Sequence, residues 1–349
     1  MKKLLTSTAL IGALVITSTS FAETKFGGNV ENTWTSRSSK TTAKPAEDAV
    51  DQIGTDIEIT MEHTKKLSNG WTAKIAAAID ESGGTGVAGT TDGLTVSRSY
   101  VQLSNGAGLT LQIGSEGLQG AEVYPIPSVA DISSDILAAG SIQQYSESLN
   151  DTNAVGIAYA TGFGTFEALF APDGHSPKGN GDANINARAT AGGTGAGVEA
   201  AYKFNALNKA LTGHIGYLKI NNDNDVTTHG QEKNLSASVQ YNFGKVKVGA
   251  GRTELDAAAN ASETKERTTT TDSFGITLAA TDQLSFGIQY SESSSDLAAA
   301  NADEEVTTLQ AAYDFGGIGF SLSYVQVDND GMVRGTDNEV LMLRTKTSF

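Results

Sequence analysis

Apolar and polar residues alternate with a period of two along most of the chain. From Leu235 to Phe243 every odd-numbered residue is apolar and every even-numbered residue is polar. The same alternation occurs at 56–62, 109–113, 284–290 and 318–324. Because successive side chains of a strand point to opposite faces, this pattern predicts β-strands with one apolar and one polar face.

The alternation predicts about sixteen strands, one of which, at 184–204, is long or irregular. The predicted strands cover residues 24–35, 52–63, 71–81, 93–104, 108–115, 153–161, 164–171, 184–204, 211–220, 234–243, 245–254, 272–281, 284–293, 305–315, 318–328 and 338–349. Most are near the ~9–11 residues that a tilted strand needs to cross a bilayer, and their number is even. The pattern therefore predicts an all-β fold, a transmembrane antiparallel β-barrel.

Short turns and long polar segments alternate between the predicted strands. The short turns contain Gly or Asn, which tolerate positive φ. The long segments, rich in Asp, Glu, Asn, Ser, Thr and Ala, cover residues 36–51, 82–92, 116–152, 221–233, 255–271 and 294–304. Outer-membrane barrels have short periplasmic turns and longer external loops, so this arrangement also favours a barrel.

Aromatic residues recur where a predicted strand meets a short turn. These residues are Tyr202, Phe204, Tyr241, Phe243, Tyr313 and Phe315, and the chain ends on Phe349. All belong to the apolar phase of their strands, and aromatic side chains with a polar tip suit the boundary between lipid and water. They predict a periplasmic aromatic girdle. The alternative interpretation places them in the core of a soluble β-sandwich.

The first 22 residues have the three parts of a secretory signal peptide. Lys2 and Lys3 form the positive start, and an apolar stretch follows from Leu4 to Ile16. Ser20-Phe21-Ala22 then has the small-x-small pattern of a cleavage site, with the cut after Ala22. The alternative, a membrane anchor, conflicts with the shortness of the apolar stretch. The sequence predicts a signal peptide at 1–22 and a barrel domain at 23–349.

The composition excludes several classes of protein. The net charge is −16, and removing residues 1–22, which contain Lys2 and Lys3 but no acid, leaves 22 basic and 40 acidic side chains, a net charge of −18. Nucleic acid is therefore not an expected partner, because phosphate binding needs clustered positive charge. The absence of Cys excludes disulfides and thiolate zinc sites.

The stretch SYVQLSNGAGLTLQIG, residues 99–114, is similar to the Tyr/Phe-Val-x-Leu…Gly-x-Leu-x-x-Gly hairpin of Gram-negative general porins. With the signal, the strands and the terminal Phe349, the chain resembles this family, and most closely its alphaproteobacterial, Rhodobacter-type group. The resemblance implies a homotrimer of sixteen-stranded barrels whose third external loop folds inward. Thr347 departs from the family, which usually has an aromatic residue there as part of the signal for the insertion machinery.

In this family, acids on the third loop face Lys and Arg side chains of the barrel wall at the constriction. The corresponding segment is about 116–151, whose acids are Glu116, Glu122, Asp131, Asp135 and Glu147. The segment also contains several apolar side chains, as expected of a loop packed inside a barrel. An external loop that packs on itself or on a neighbouring subunit is the alternative.

The strand phase selects the wall residues that would oppose these acids. The basic residues in the lumen-facing phase are Lys74, Lys203, Lys247, Arg344 and Lys346. Arg98 is a sixth candidate, but its position two residues before Tyr100 suggests the lipid-facing phase unless a bulge intervenes.

No motif indicates an enzyme or a cofactor. The four His residues form no i,i+4 pair and no zinc signature. Oxygen-rich stretches at 328–331 and 221–225 could offer ligands to Ca²⁺, but neither has complete Ca²⁺ loop spacing, which favours hydrated external loops.

The sequence thus predicts a general diffusion channel of the Gram-negative outer membrane, without cofactor, for ions and small hydrophilic solutes and with mild cation preference. Its expected partners are outer-membrane lipid, the insertion machinery and two further copies of the chain. The alternatives are a substrate-selective outer-membrane channel and a soluble exported β-sandwich or adhesin.

Overall fold

The computed structural model describes residues 22–40, 50–82, 93–115, 117–118, 120, 127–129, 149, 153–172, 196–207, 209–220, 232–257, 267–296 and 302–349. Within these ranges, none of the helices has the length and apolar character needed to cross a membrane. The predicted signal peptide lies almost entirely outside the described residues and stays a prediction.

Sixteen antiparallel strands form a closed barrel in which each strand pairs with its sequence neighbours and β1 pairs with β16. The strands are β1 (Ala22–Lys40), β2 (Val50–Lys66), β3 (Thr72–Ser82), β4 (Gly93–Ser104), β5 (Leu109–Ser115), β6 (Ala154–Thr161), β7 (Gly164–Ala171), β8 (Gly197–Ala206), β9 (Leu211–Ile220), β10 (Glu232–Asn242), β11 (Val246–Ala257), β12 (Arg267–Ala279), β13 (Leu284–Ser295), β14 (Glu304–Asp314), β15 (Ile318–Asp328) and β16 (Asp337–Ser348). A short 3₁₀ turn, Asp330–Met332, lies between the last two strands. The predicted fold class is confirmed, and the closed ring excludes the β-sandwich.

Several strands extend further than the sequence predicted. β1 continues to Lys40 and β2 begins at Val50, inside the predicted loop 36–51, and β12 begins at Arg267, inside the predicted loop 255–271. The extensions of β1 and β12 are rich in Ser and Thr, so they lack the apolar phase by which alternation identifies a strand. The long strand predicted at 184–204 is Gly197–Ala206 in the described part of the chain.

The barrel has its apolar side chains outside and its polar side chains inside. On β13, Phe286 and Ile288 on the outer face are 44% and 50% exposed, whereas Gln289 and Ser291 on the inner face are buried. A closed barrel of this polarity satisfies the hydrogen bonds of its strands internally and presents an apolar surface to lipid. The inner surface is therefore where a polar solute can pass.

Backbone hydrogen bonds at the terminal Phe349 complete the seam between β1 and β16. The Gly28 amide donates to the Phe349 carbonyl at 3.1 Å, and the Phe349 amide donates to the Gly28 carbonyl at 3.0 Å. A Cβ atom on Gly28 would lie 2.8 Å from the Phe349 ring and 2.3 Å from the Glu58 carbonyl oxygen. Because Gly28 has no side chain, it leaves the recess in which the Phe349 ring lies.

The seven aromatic residues predicted to form the girdle lie in the outward phase at the short-turn end of the barrel. The ring centroids of Tyr241 and Phe243 are 4.4 Å apart, and those of Tyr313 and Phe315 are 4.5 Å apart. Phe243, Phe315 and Phe349 are strongly exposed. This position suits the proposed contact with the lipid–water boundary, which stays a prediction.

Candidate functional site

The connection between β5 and β6 crosses the lumen. Gln310 on the inner face of β14 accepts hydrogen bonds from the Ser128 hydroxyl at 2.9 Å and from the Val129 amide at 3.2 Å. β14 is seven strands from β5 by the shorter way round the ring of sixteen, so it lies nearly opposite β5. The inward-folded third loop is therefore present, and residues 128 and 129 lie against the far wall.

Both ends of this loop are held by two buried carboxylates on neighbouring strands, Glu167 of β7 and Glu199 of β8, which we call the loop clamp. The Gly120 amide donates to Glu167 Oε2 at 2.8 Å, and the Leu149 amide donates to Glu199 Oε2 at 2.6 Å. Lys203 Nζ lies 3.3 Å from the same oxygen of Glu167. Hydrogen bonds to charged acceptors are stronger than neutral ones, so the clamp fixes the point where the loop leaves and rejoins the wall.

Apolar contacts reinforce the loop clamp. Leu118 and Leu149 from the loop are buried together with Leu169, Leu218 and Ile220 on the inner face of β7 and β9. His214 on β9 contacts the loop as well, with its Nε2 atom 3.4 Å from the Gly120 carbonyl oxygen. This side of the lumen is consequently filled by packed side chains.

The inner face of β10–β15 is dominated by hydroxyl and amide side chains, which we call the hydroxyl wall. Its buried hydroxyl and amide members are Asn234, Ser236, Thr253, Thr271, Ser273, Thr277, Gln289, Ser291, Ser293, Thr308, Gln310 and Ser323. Charged inward residues of these strands occur near the short turns, at Lys247 and Asp314, and near the other end, at Glu304. Between these two levels the inward positions carry no charge. The hydroxyl and amide side chains are buried, so the hydroxyl wall is covered at their depth.

The inner face of β16 and β1–β4 carries charges of both signs and is called here the charged wall. Lys74 Nζ lies 2.7 Å from Glu62 Oε2, Lys346 Nζ lies 3.7 Å from Glu31 Oε2, and Arg344 also contacts Glu31. Further charged members are Asp56, Glu58, Asp80 and Arg98, and nearer the strand ends the same inward phase carries Glu23, Lys25, Arg37 and Lys66. The side chains of Lys74 and Lys346 are 31% and 49% exposed, so water reaches the charged wall.

Arg98 lies on the inner face, as expected of a wall candidate, and the spacing argument for a lipid-facing phase is wrong because Tyr100 itself faces the lumen. Tyr100 is buried inside the barrel opposite Ala76, and Arg98 pairs with Ala78 in the same phase. A register shift between Ala78 and Ile79 then returns Val96 to the outer face, where it is exposed. The bulge explains why Val96 and Arg98, two positions apart, face opposite sides.

The structure places all six predicted basic residues in the inward phase, but in three environments. Lys74, Arg98, Arg344 and Lys346 belong to the charged wall, Lys203 belongs to the loop clamp, and Lys247 lies at the short-turn end of β11. The five predicted loop acids, Glu116, Glu122, Asp131, Asp135 and Glu147, lie outside the described residues. Whether these residues meet at a constriction stays a prediction.

Sequence reasoning missed the acids of the wall and the residue that receives the loop. Glu31, Glu62, Glu167, Glu199 and Gln310 are all in the polar phase of their strands. Their phase could have identified them as lumenal. Their partners could not be identified that way, because the partners lie on other strands or on the loop.

In the described part of the chain, no group of His, Asp and Glu side chains converges to hold a metal ion. In the stretch 328–331 that was considered for Ca²⁺, the carboxylate of Asp330 contacts Asn338 and lies 3.8 Å from Arg37. The other stretch, 221–225, falls outside the described residues.

Comparisons with known proteins agree with this geometry. A family model described as Gram-negative porin matches residues 6–343. The fold is similar to that of the anion-selective porin from Comamonas acidovorans (TM-score 0.62, 14% identity, 94% of this chain and 100% of that chain). It is also similar to the outer membrane channel DcaP of Acinetobacter baumannii (TM-score 0.67, 12% identity, 96% and 99%). In vitro folded OmpT of Vibrio cholerae, in its trimer form, has a TM-score of 0.57 at 12% identity over 94% and 99% of the two chains. No curated protein sequence matches the chain.

Proposed function

Because the chain belongs to the Gram-negative porin family, it is an outer-membrane channel, and we propose that ions and small hydrophilic solutes diffuse through it along the charged wall. Sixteen strands enclose a lumen wide enough for water. The single observation that carries this route is the contrast between the two sides of the lumen. The hydroxyl wall is buried and receives residues 128 and 129, whereas Lys74, Glu62 and Lys346 on the charged wall are partly exposed.

Passive diffusion through such a passage needs no cofactor and no chemical step. The bases of the charged wall lie against acids of the same wall, so a permeating ion meets paired charges rather than one deep binding site. Conduction requires sites weak enough for the ion to leave. The arrangement at the narrowest section, with the predicted loop acids opposite bases of the wall, is also part of this proposal.

The experiment that tests the proposed function is single-channel recording of the purified protein in a planar bilayer. A general channel gives stepwise, ohmic openings in KCl. A channel selective for one solute class would instead conduct KCl weakly and show saturable block by that class. Failure to form any conducting pore would refute both.

We expect K⁺ to be preferred over Cl⁻ by about threefold at low salt, a mild preference that reflects the local potential of the acidic chain. The wall acids are largely matched by wall bases, so the preference depends on the net charge of −18 that remains without residues 1–22 and on the loop acids. The preference should decrease as salt is raised, because the screening length falls from about 10 Å at 0.1 M to about 3 Å at 1 M. The reversal potential in a KCl gradient measures it, and a clear anion preference would contradict it.

We also propose that three copies associate through the outer face of β1 and β2. On this face the Thr55 hydroxyl donates to Asn32 Oδ1 at 3.0 Å, and both residues are outside the lumen. Asn32 lies about 13 Å along the strand from Gly28, at membrane depth, where a polar side chain is costly unless another protein surface covers it. The trimer form of the structurally similar OmpT supports the same number of copies.

Native mass spectrometry of the detergent-extracted protein tests the trimer. We expect the mass of three chains and conductance steps that occur in groups of three. A fully conducting species with the mass of one chain would contradict the proposal.

We further propose that residues 1–22 are removed when the chain is delivered to the membrane and that the insertion machinery recognises Phe349.

A further inference from the structure

A cavity of about 490 Å³ lies inside the barrel at the short-turn end, below the loop residues Ser128 and Val129. Residues of the turns that follow β10 and β12, including Gly244 and Gln283, form its open rim. Short turns are periplasmic in outer-membrane barrels, so the cavity opens toward the periplasm, and the loop residues Ser128 and Val129 line its far end.

The charge of this cavity has the opposite sign to that of the chain. Its lining contains four basic side chains, Lys245, Lys247, Arg344 and Lys346, but only the two acids Asp282 and Asp314. Asp314 is engaged in the turn after β14, where it accepts hydrogen bonds from the Gly316 and Gly317 amides at 2.7 and 3.2 Å.

The third carboxylate near the cavity is Glu31, which contacts Arg344 and lies 3.7 Å from Lys346. Asp56, the cross-strand neighbour of Glu31 on β2, also interacts electrostatically with Lys346, so both bases on that side lie near wall acids. Lys247, across the cavity, is exposed and makes no ion pair with another residue in the described part of the chain. In the described part of the chain, the positive charge of the lining that is not paired with a wall acid therefore lies on the β11 side, at Lys245 and Lys247.

Hydroxyl groups that can donate hydrogen bonds lie beside these cations. Thr277 is the cross-strand partner of Lys247, and Ser321 is the cross-strand partner of Arg344. Ser285 and Ser128 also line the cavity. Ammonium, guanidinium and hydroxyl groups together are the donors that bind phosphate and carboxylate oxygens.

We propose that this cavity is a binding site for small water-soluble oxyanions of the phosphate or carboxylate class, entered from the periplasmic side. The site rests on the proposed function, because the anion reaches it through the lumen. A lipid headgroup is not the occupant, since Lys247, Thr277, Ser285, Ser321, Arg344 and Lys346 all belong to the inner face. Arg344 and Lys346 line both this cavity and the charged wall, so an anion held there narrows the exit of the passage and its binding reduces the KCl current.

Inorganic pyrophosphate is the probe, added to one side of a planar bilayer at low KCl. Because the chain contains no Cys, Ser68→Cys in the exposed turn after β2, labelled with an impermeant thiol reagent, identifies the periplasmic side. We expect half-block of the current at a lower pyrophosphate concentration from that side than from the other. Lys247→Gln should raise the half-block concentration about tenfold, as expected for the loss of one charge-assisted contact.

Lys209→Gln is the matched control, since it makes the same change of charge in the turn between β8 and β9, outside the cavity lining. It should leave the half-block concentration unchanged. Equal sensitivity of Lys247→Gln and the unmodified protein, equal block from both sides, or no block at all would overturn the anion site while KCl conduction persists. Absence of KCl conduction would instead refute the proposed function, so the two failures are distinguishable.

Discussion

Replacing Glu199 by alanine is expected to release the inward loop and to make the open-channel current much noisier. Glu199 is buried and accepts the Leu149 amide at 2.6 Å. Loss of a hydrogen bond to a charged group costs about 1.5–3 kcal/mol, which increases the detached fraction of the loop roughly ten- to hundredfold. Gly120, which packs closely against Glu199, loses this neighbour but keeps its hydrogen bond to Glu167.

Current noise and stepwise closures in a planar bilayer measure this effect, and limited proteolysis within 121–148 gives a second, independent reading. Glu199→Gln retains an oxygen acceptor and should remain close to the unmodified channel. Glu254→Ala removes the same charge from an exposed position in the outward phase of β11 and is the control for charge alone. If Glu199→Ala and Glu254→Ala behave alike, the carboxylate does not hold the loop.

Replacing Gly28 by alanine is expected to impair closure of the barrel. The added Cβ would lie 2.3 Å from the backbone oxygen of Glu58, which cannot move without disturbing the pairing of β1 and β2. It would also enter the space of the Phe349 ring at 2.8 Å. Overpacking of this kind costs about 1–3 kcal/mol, and here it acts at the seam on which ring closure depends.

Heat-modifiable mobility after refolding in detergent measures the folded fraction, and thermal unfolding gives the change in stability. Gly54→Ala is the matched control, because Gly54 lies on the adjacent strand β2 and a Cβ there meets no heavy atom within 4 Å. We expect Gly54→Ala to fold normally and Gly28→Ala to show a reduced folded fraction and a lower unfolding temperature. Equal folding of the two variants would show that the recess at Gly28 is not required.

The alternation of apolar and polar residues determined much of the fold without any tertiary information. The phase of each strand predicted which face meets lipid, and it correctly assigned Lys74, Lys203 and Lys247 to the inward face. It could do so because side-chain direction in a strand is a local property with a period of two. The same rule holds at Arg98, which shares the inward phase of Tyr100, and it fails only at the bulge beyond Arg98, where Val96 returns to the outer face.

The partners of the lumenal charges were decided only by the tertiary structure. Glu31 and Arg344 are 313 residues apart in sequence, and Ser128 and Gln310 are 182 apart, yet each pair is in contact. These contacts depend on closure of the ring and on the path of one loop across it, which no local period encodes. The sequence by itself therefore determined the barrel and the lumenal phase of its strands, whereas the folded chain decided which side of the lumen is filled and which remains open.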